Sequence, residues 1–317
     1  MKAKKEFAIL FFIISVLLFY IYSERGEKTH YALPEIQQIQ SDTISKIHIR
    51  KEDSLISLVR KGDKWLVGDE KYRADKVLVE NMLKGISALT LTALASESEN
   101  YSLYELDEKG RIEVSVYKGD TVLRTVKIGK PASSYRYTFV MIDDDHRVYH
   151  AEGNLRNEFD KNISDLRDKT LMAFNDDIRE VILKKGRDEM TIVKASAPVS
   201  VDAAKNETGT SEPGESGRTW TTADGKAVKE SEIDNMVRAL SNFQCDAFIE
   251  DRAKEEFKAP IYTLILKGVN TYTISIFEKK DSQHPAVSSE SEYPCLLSEW
   301  KANQIMKDFK GLLEEGT

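Results

Sequence analysis

The stretch ENMLKGISAL (Glu80–Leu89) returns 154 residues later as DNMVRALSNF (Asp234–Phe243). Working outward, the likeness continues on both sides. Ala93-Leu94 matches Ala247-Phe248, and Ile112, Val114 and Val116 match Tyr262, Leu264 and Leu266 at an offset of 150. Upstream, Trp65 matches Trp220 at 155, while Ile44, Ile47 and Ile49 match Ile178, Val181 and Leu183 at 134. Ile56, Leu58 and Val59 align with Met190, Ile192 and Val193 at that same shorter offset. A fixed self-similarity of this kind marks a duplicated structural unit. The jump from 134 to 155 is an insertion of 21 residues, and it falls in Ala195–Gly217 (ASAPVSVDAAKNETGTSEPGESG). That stretch holds too few apolar side chains to offset its ordering entropy and reads as a disordered loop.

Each copy carries one pattern. Period-two apolar runs predict hairpins, Ile44–Arg50 with Leu55–Arg60 and Ile178–Lys184 with Met190–Lys194. A Trp-bearing strand follows at Lys64–Val67 or Arg218–Thr221. An amphipathic helix comes next, with Val77, Leu78, Met82, Leu83, Ile86 and Leu89 at three- and four-residue steps. Asp75 is its predicted N-cap, and Ser231 that of the second copy. Strands are expected at Ile112–Tyr117, Val122–Ile128, Tyr262–Lys267 and Tyr272–Phe277. Tyr137–Ile142 and Val148–His150 form a further hairpin, and a helix over Glu299–Leu313 closes the chain.

At 317 residues the chain is long enough for two cores, and its 41% hydrophobic and 31% charged composition is that of a globular protein. A net charge of −7 with no basic cluster in the body argues against nucleic acid. Phe7–Tyr22 (FAILFFIISVLLFYIY) carries no charge and would span about 24 Å as a helix. Lys2, Lys4 and Lys5 precede it, so the positive-inside rule predicts a cytoplasmic Met1 and a body outside. Bulky Phe19, Tyr20, Ile21 and Tyr22 stand where a signal-peptide cleavage site needs small residues, which favours an uncleaved anchor in the lipid bilayer. The expected fold class is therefore α+β: an N-terminal transmembrane helix, then two tandem antiparallel-sheet-plus-helix repeats. The expected divisions are a cytoplasmic tip and anchor at 1–25, a stalk at 26–43, a first repeat at 44–174 and a second at 175–317 with its insertion near 195–217.

Residues that carry chemistry are thinly spread. His146 and His150 with Asp143–Asp145 make the best metal-like cluster, yet residues four apart on a strand lie about 13 Å apart, too far to share an ion. The three Asp are read as a hairpin turn. His284 before Pro285 reads as a solvated loop residue. Ile128-Gly129-Lys130 lacks the spacing of a phosphate-binding loop. For Cys245 and Cys295 two readings stand open, a disulfide in an oxidising compartment and a pair of small buried apolar residues. Trp65 and Trp220, at matched places, read as core in preference to a platform for stacking sugar or peptide. No catalytic, cofactor-binding or metal-binding residue is assigned, and no cofactor is expected.

With the repeat laid out, the chain resembles the bacterial family catalogued as domain of unknown function 4340. The resemblance rests on Ile47 and Ile49, Gly62-Asp63 with Trp65, Ala74-Asp75, Leu103-Tyr104-Glu105-Leu106, Ile128-Gly129-Lys130, Arg136-Tyr137, Val148-Tyr149 and Arg167-Asp168-Lys169. It covers about 44–184, and the second copy more loosely, without counterparts to the Ala-Asp or Ile-Gly-Lys features. The resemblance implies a single-anchor bacterial inner-membrane protein with a periplasmic or extracellular body, encoded beside ABC-type transporter and gliding-motility-like components. The expected function is a non-enzymatic accessory subunit that contacts a membrane protein of an ABC-transporter-associated envelope complex. A cell-wall or surface-glycan module using Tyr101, Tyr135 or Tyr137 is the alternative, and a hydrolase comes third.

Overall fold

A computed structural model describes residues 12–16, 19, 32–196 and 218–314. They divide into two compact units, Met1–Arg167 and Asp168–Thr317.

The first unit runs β1 (Lys46–Lys51), β2 (Ser54–Lys61), β3 (Lys64–Val67), β4 (Tyr72–Arg73), α1 (Lys76–Ser87) and β5 (Leu91–Ser96). After a short 3-10 helix at Tyr101–Tyr104 come β6 (Ile112–Lys118), β7 (Thr121–Pro131), β8 (Tyr137–Ile142) and β9 (Val148–Glu152). Two short helices end it, α2 (Leu155–Phe159) and α3 (Ile163–Leu166). The nine strands form one antiparallel sheet in the order β4-β3-β2-β1-β6-β7-β8-β9-β5. Alternation does the sorting: Ile47 and Ile49 on β1, Leu58 on β2, and Val114 and Val116 on β6 are all buried on one face. Helix α1 lays Val79, Met82 and Ile86 into the same core. Asp75 caps it, accepting the Leu78 N–H at 3.0 Å.

The second unit runs β10 (Thr170–Ala173), β11 (Glu180–Lys185), β12 (Asp188–Ser196), β13 (Arg218–Thr222), α4 (Glu230–Leu240), β14 (Asn242–Gln244) and β15 (Ala247–Phe248). It continues with β16 (Tyr262–Lys267), β17 (Thr271–Ile276), β18 (Gln283–Ser288), β19 (Cys295–Ser298), α5 (Glu299–Ile305) and α6 (Phe309–Leu312). Its main sheet is ordered β13-β12-β11-β16-β17-β18-β19-β15, and β10 pairs β14 in a separate ribbon. Strand for strand this order matches β3-β2-β1-β6-β7-β8-β9-β5. Ile47 faces Leu58 as Val181 faces Ile192. A separate core fills this unit, with Trp220, Ile233, Met236 and Leu264 buried.

The expected fold class needs correction. The described residues are mostly β, in three antiparallel sheets, and no helix among them is long and apolar enough to cross a membrane. That removes the transmembrane helix from the fold description. Of Phe7–Tyr22, residues 12–16 and 19 are helical and the rest lie outside the described residues. Helices are few because each copy buries its sheet under one main helix of 12 or 11 residues. The helix expected over Glu299–Leu313 is two pieces broken at Met306–Asp308. The break lets Tyr262 donate its hydroxyl to the Lys307 carbonyl at 3.3 Å and lets Leu313 bridge to Val228. Ser231 is not a cap, because α4 starts at Glu230, after Lys229, and Ser231 lies inside it. Glu230 and Glu232 in its first turn offset the helix dipole instead.

Two linker expectations also shift. Ala195 and Ser196 belong to β12, paired with Thr219 and Arg218, while 197–217 lie outside the described residues. Part of the expected stalk is docked: Leu33, Ile36 and Ile39 pack on the first core, and Ile39 donates its N–H to the Ser87 carbonyl at 3.2 Å. Buried Arg124 on β7 fastens this segment. Its guanidinium donates to the Ile86 carbonyl at 2.7 Å, at the C-terminus of α1, and to the Gln37 carbonyl. A cation there suits the negative end of the helix.

Candidate functional site

The turn between β8 and β9 gathers a dense polar network. Asp145 accepts the Arg147 backbone N–H at 2.9 Å, the Arg147 guanidinium at 2.8 and 3.0 Å, and the Tyr149 hydroxyl at 2.7 Å. The hydrogen bonds from Arg147 hold the Asp145 carboxyl well below the usual carboxylate range. Burial, with Asp145 beside it, pushes the Tyr149 phenol up to about 12. Asp143 sits at the turn with φ 49° and accepts the Thr125 N–H at 2.8 Å. His146 is tied by its carbonyl to the Tyr101 hydroxyl at 3.1 Å. These contacts make a closed structural turn.

His150, next to Tyr149 on β9, lies 4.7 Å from the Phe139 ring and 6.0 Å from Tyr137, which is stacked on it. Its Nε2 is buried with no hydrogen-bond partner, and burial pulls its pKa down. The imidazole is therefore neutral at pH 7, an aromatic member of the sheet face. Among the described residues no group of three or more His, Cys, Asp or Glu is placed to hold a metal ion. His284 departs from expectation: it is buried on β18, with Nδ1 3.0 Å from the Phe277 carbonyl. A loop of polar letters concealed a strand.

The motif residues meet each other in the first unit. Gly129 has no room for a side chain, since an added Cβ would stand 2.2 Å from the Tyr104 carbonyl and 2.9 Å from Leu106. The Ile-Gly-Lys element is thus the seat on which Leu103–Leu106 rests. Likewise Ala74 bridges Arg167, Asp75 donates its N–H to the Leu166 carbonyl at 2.8 Å, and the Arg167 guanidinium stacks 3.7 Å over Tyr72. Trp65 and Trp220 are both buried, and the Trp220 indole donates to Asp234 at 2.8 Å. The recurring letters describe packing.

Two clefts of the first unit carry charged linings. A cleft of about 450 Å³ is lined by Lys51, Arg111, Arg156 and Asp160 among others. Lys51 binds Asp160 at 2.8 Å, and Arg156 binds the Gly110 carbonyl at 3.0 Å and Glu105 at 3.3 Å. A second cleft, about 280 Å³, is lined in part by Lys84, Gly85 and Glu158. Here Glu158 Oε2 is buried without a partner, and burial raises its pKa. Of the rings considered for glycan, Tyr135 is 72% exposed, whereas Tyr101 packs on the small cluster of Leu106, Met141 and Val148. Tyr137 lies along His150.

Exposed apolar side chains stand on both units. Leu103 is 57% exposed on the first, and on the second Val269 and Trp300 are 86% and 69% exposed. Trp300 is the second residue of α5, which follows β19 directly. Nothing in the repeat singled it out, because it has no matched tryptophan in the first copy.

No curated protein matches the chain, and no solved structure does either. One family model does, described as Domain of unknown function (DUF4340), over residues 65–260. That span covers more than half of the 317 residues and reaches from the first copy's Trp65 into the second unit, and so the chain belongs to the DUF4340 family.

Proposed function

We propose that this protein is a non-enzymatic, extracytoplasmic accessory subunit that binds another protein of an ABC-transporter-associated bacterial envelope complex. The observation that carries the reading is Trp300. A tryptophan 69% exposed on a short surface helix leaves a large rigid apolar side chain in water, and such side chains anchor protein interfaces. The cleft beside Lys51 supports the same reading, since its Lys51 and Asp160 charges already satisfy one another. The transporter class of partner comes from the family resemblance. In this role the chain presents a surface and performs no reaction.

The test is affinity capture from cross-linked cells with wild type and Trp300→Ala. The wild type is expected to retain a transporter-type component, and the variant to lose at least tenfold of it, a loss of about 1.4 kcal/mol. Equal recovery with both proteins, or no transporter-type component with either, would end the proposal.

A further inference from the structure

Cys245 sits on the link between β14 and β15, and Cys295 opens β19. Fifty positions separate them in sequence, yet the topology brings them into one place. Strand β15 pairs with β19, with Phe248 opposite Cys295 and Ala247 opposite Leu296. The link is pinned on both sides. Cys245 donates its N–H to the Lys169 carbonyl at 2.9 Å, Asp246 donates its own to the Leu296 carbonyl at 3.0 Å, and Ser298 N–H returns to Asp246 Oδ2 at 2.6 Å. Both cysteines are free, buried in the same core cluster, and each shifts the other's ionisation.

We infer that Cys245 and Cys295 are a disulfide-forming pair that staples the β15 end of the second sheet to β19. The oxidant is an external disulfide, and the reaction is thiol–disulfide exchange. Cys245, as thiolate, attacks one sulfur of that disulfide; a bond to it forms and one thiol leaves. The sulfur of Cys295 then loses its proton and attacks Cys245 Sγ, releasing the second thiol. Two hydrogens and two electrons pass from the protein to the external disulfide, which ends as two thiols.

The order of attack follows from the surroundings. The hydrogen bond from Cys295 lowers the Cys245 pKa, and Lys169 and Lys301 act in the same sense. Burial raises that of Cys295, with Asp246 adding to the rise. Lys301 is itself ion-paired with Asp246 at 2.7 Å. Cys245 is thus the sulfur that carries negative charge more readily. The inference stands apart from the proposed partner, since the pair is complete within one unit.

The test refolds the reduced full-length chain in buffers of reduced and oxidised glutathione, so that burial does not limit access. Free thiols are then trapped by alkylation and the digested protein is mapped by mass spectrometry. A peptide joined through Cys245 and Cys295 is expected to dominate at the oxidising end, with the intact chain two hydrogens lighter. Cys295→Ser is expected to hold glutathione on Cys245. Both thiols alkylated at the oxidising end, or each capped by glutathione with no joined peptide, overturns the pair. Because the wild-type map decides the matter, a misfolded variant does not.

Discussion

Asp145 shows how one residue read as part of a metal-like cluster serves the turn that holds it. Its carboxylate is saturated by Arg147 and Tyr149, so replacement by Ala is expected to cost about 1–2 kcal/mol, seen as a lower unfolding midpoint in urea. The folded pKa lies below the unfolded value, about 3.9, so this contribution is present above that pH and is lost as pH falls below it. Asp145→Asn should remove that part of the acid slope. Glu158 has the opposite sign. With its pKa raised by burial, its charged form weighs against the fold once pH climbs past the unfolded carboxylate value, about 4.3. Glu158→Gln is expected to raise stability at pH 7 by about 1 kcal/mol and to flatten the slope between pH 4 and 7; a loss at pH 7 would show that an unseen partner holds the carboxylate. Neither role was legible in the sequence. Asp143–Asp145 announced a turn by composition, but nothing in the letters ties Tyr149 to Asp145 or isolates Glu158 from solvent.

Elements were more legible than residues, because hairpins and amphipathic helices have periods that single letters lack. Lys64–Val67 is a strand over the predicted residues, and Asp75 caps the helix it was expected to cap. Errors fell where tertiary contacts set the boundary: Lys229 ahead of α4, the break after Ile305, and β12 reaching Ser196. Gly129 is the sharpest element-scale test. Gly129→Ala forces a methyl against the Tyr104 carbonyl, and the expected loss is about 2–3 kcal/mol by chemical denaturation. Gly119 to Ala makes a useful contrast, since nothing lies near its Cβ position and only its left-handed φ of 60° opposes the change. A Gly129→Ala protein as stable as wild type would mean that the Tyr101–Tyr104 turn does not rest there.

At the scale of the molecule, two cores sit in two units of shared strand order, and the duplication that predicts them was plain in the sequence through Trp65 and Trp220. Each unit buries its own set of side chains, so unfolding in denaturant is expected in two steps. Alkylation of Cys245 and Cys295 under reducing conditions reports the second unit alone. Gly129→Ala should advance the first step and leave the alkylation midpoint within about 0.3 M urea of wild type, a shift small against the usual slope. What stayed hidden was the docking of residues 33–39, whose sparse Leu and Ile carry too weak a pattern to announce contact with a helix and strand far along the chain. That docking has a mechanical meaning. Because Arg124 grips both the Gln37 carbonyl and the end of α1, tension arriving through the N-terminal segment is shared by a central strand and a helix at once. The protein meets a tug with its interior, and an Arg124→Met chain should let the leading segment peel away under a force that the wild type withstands.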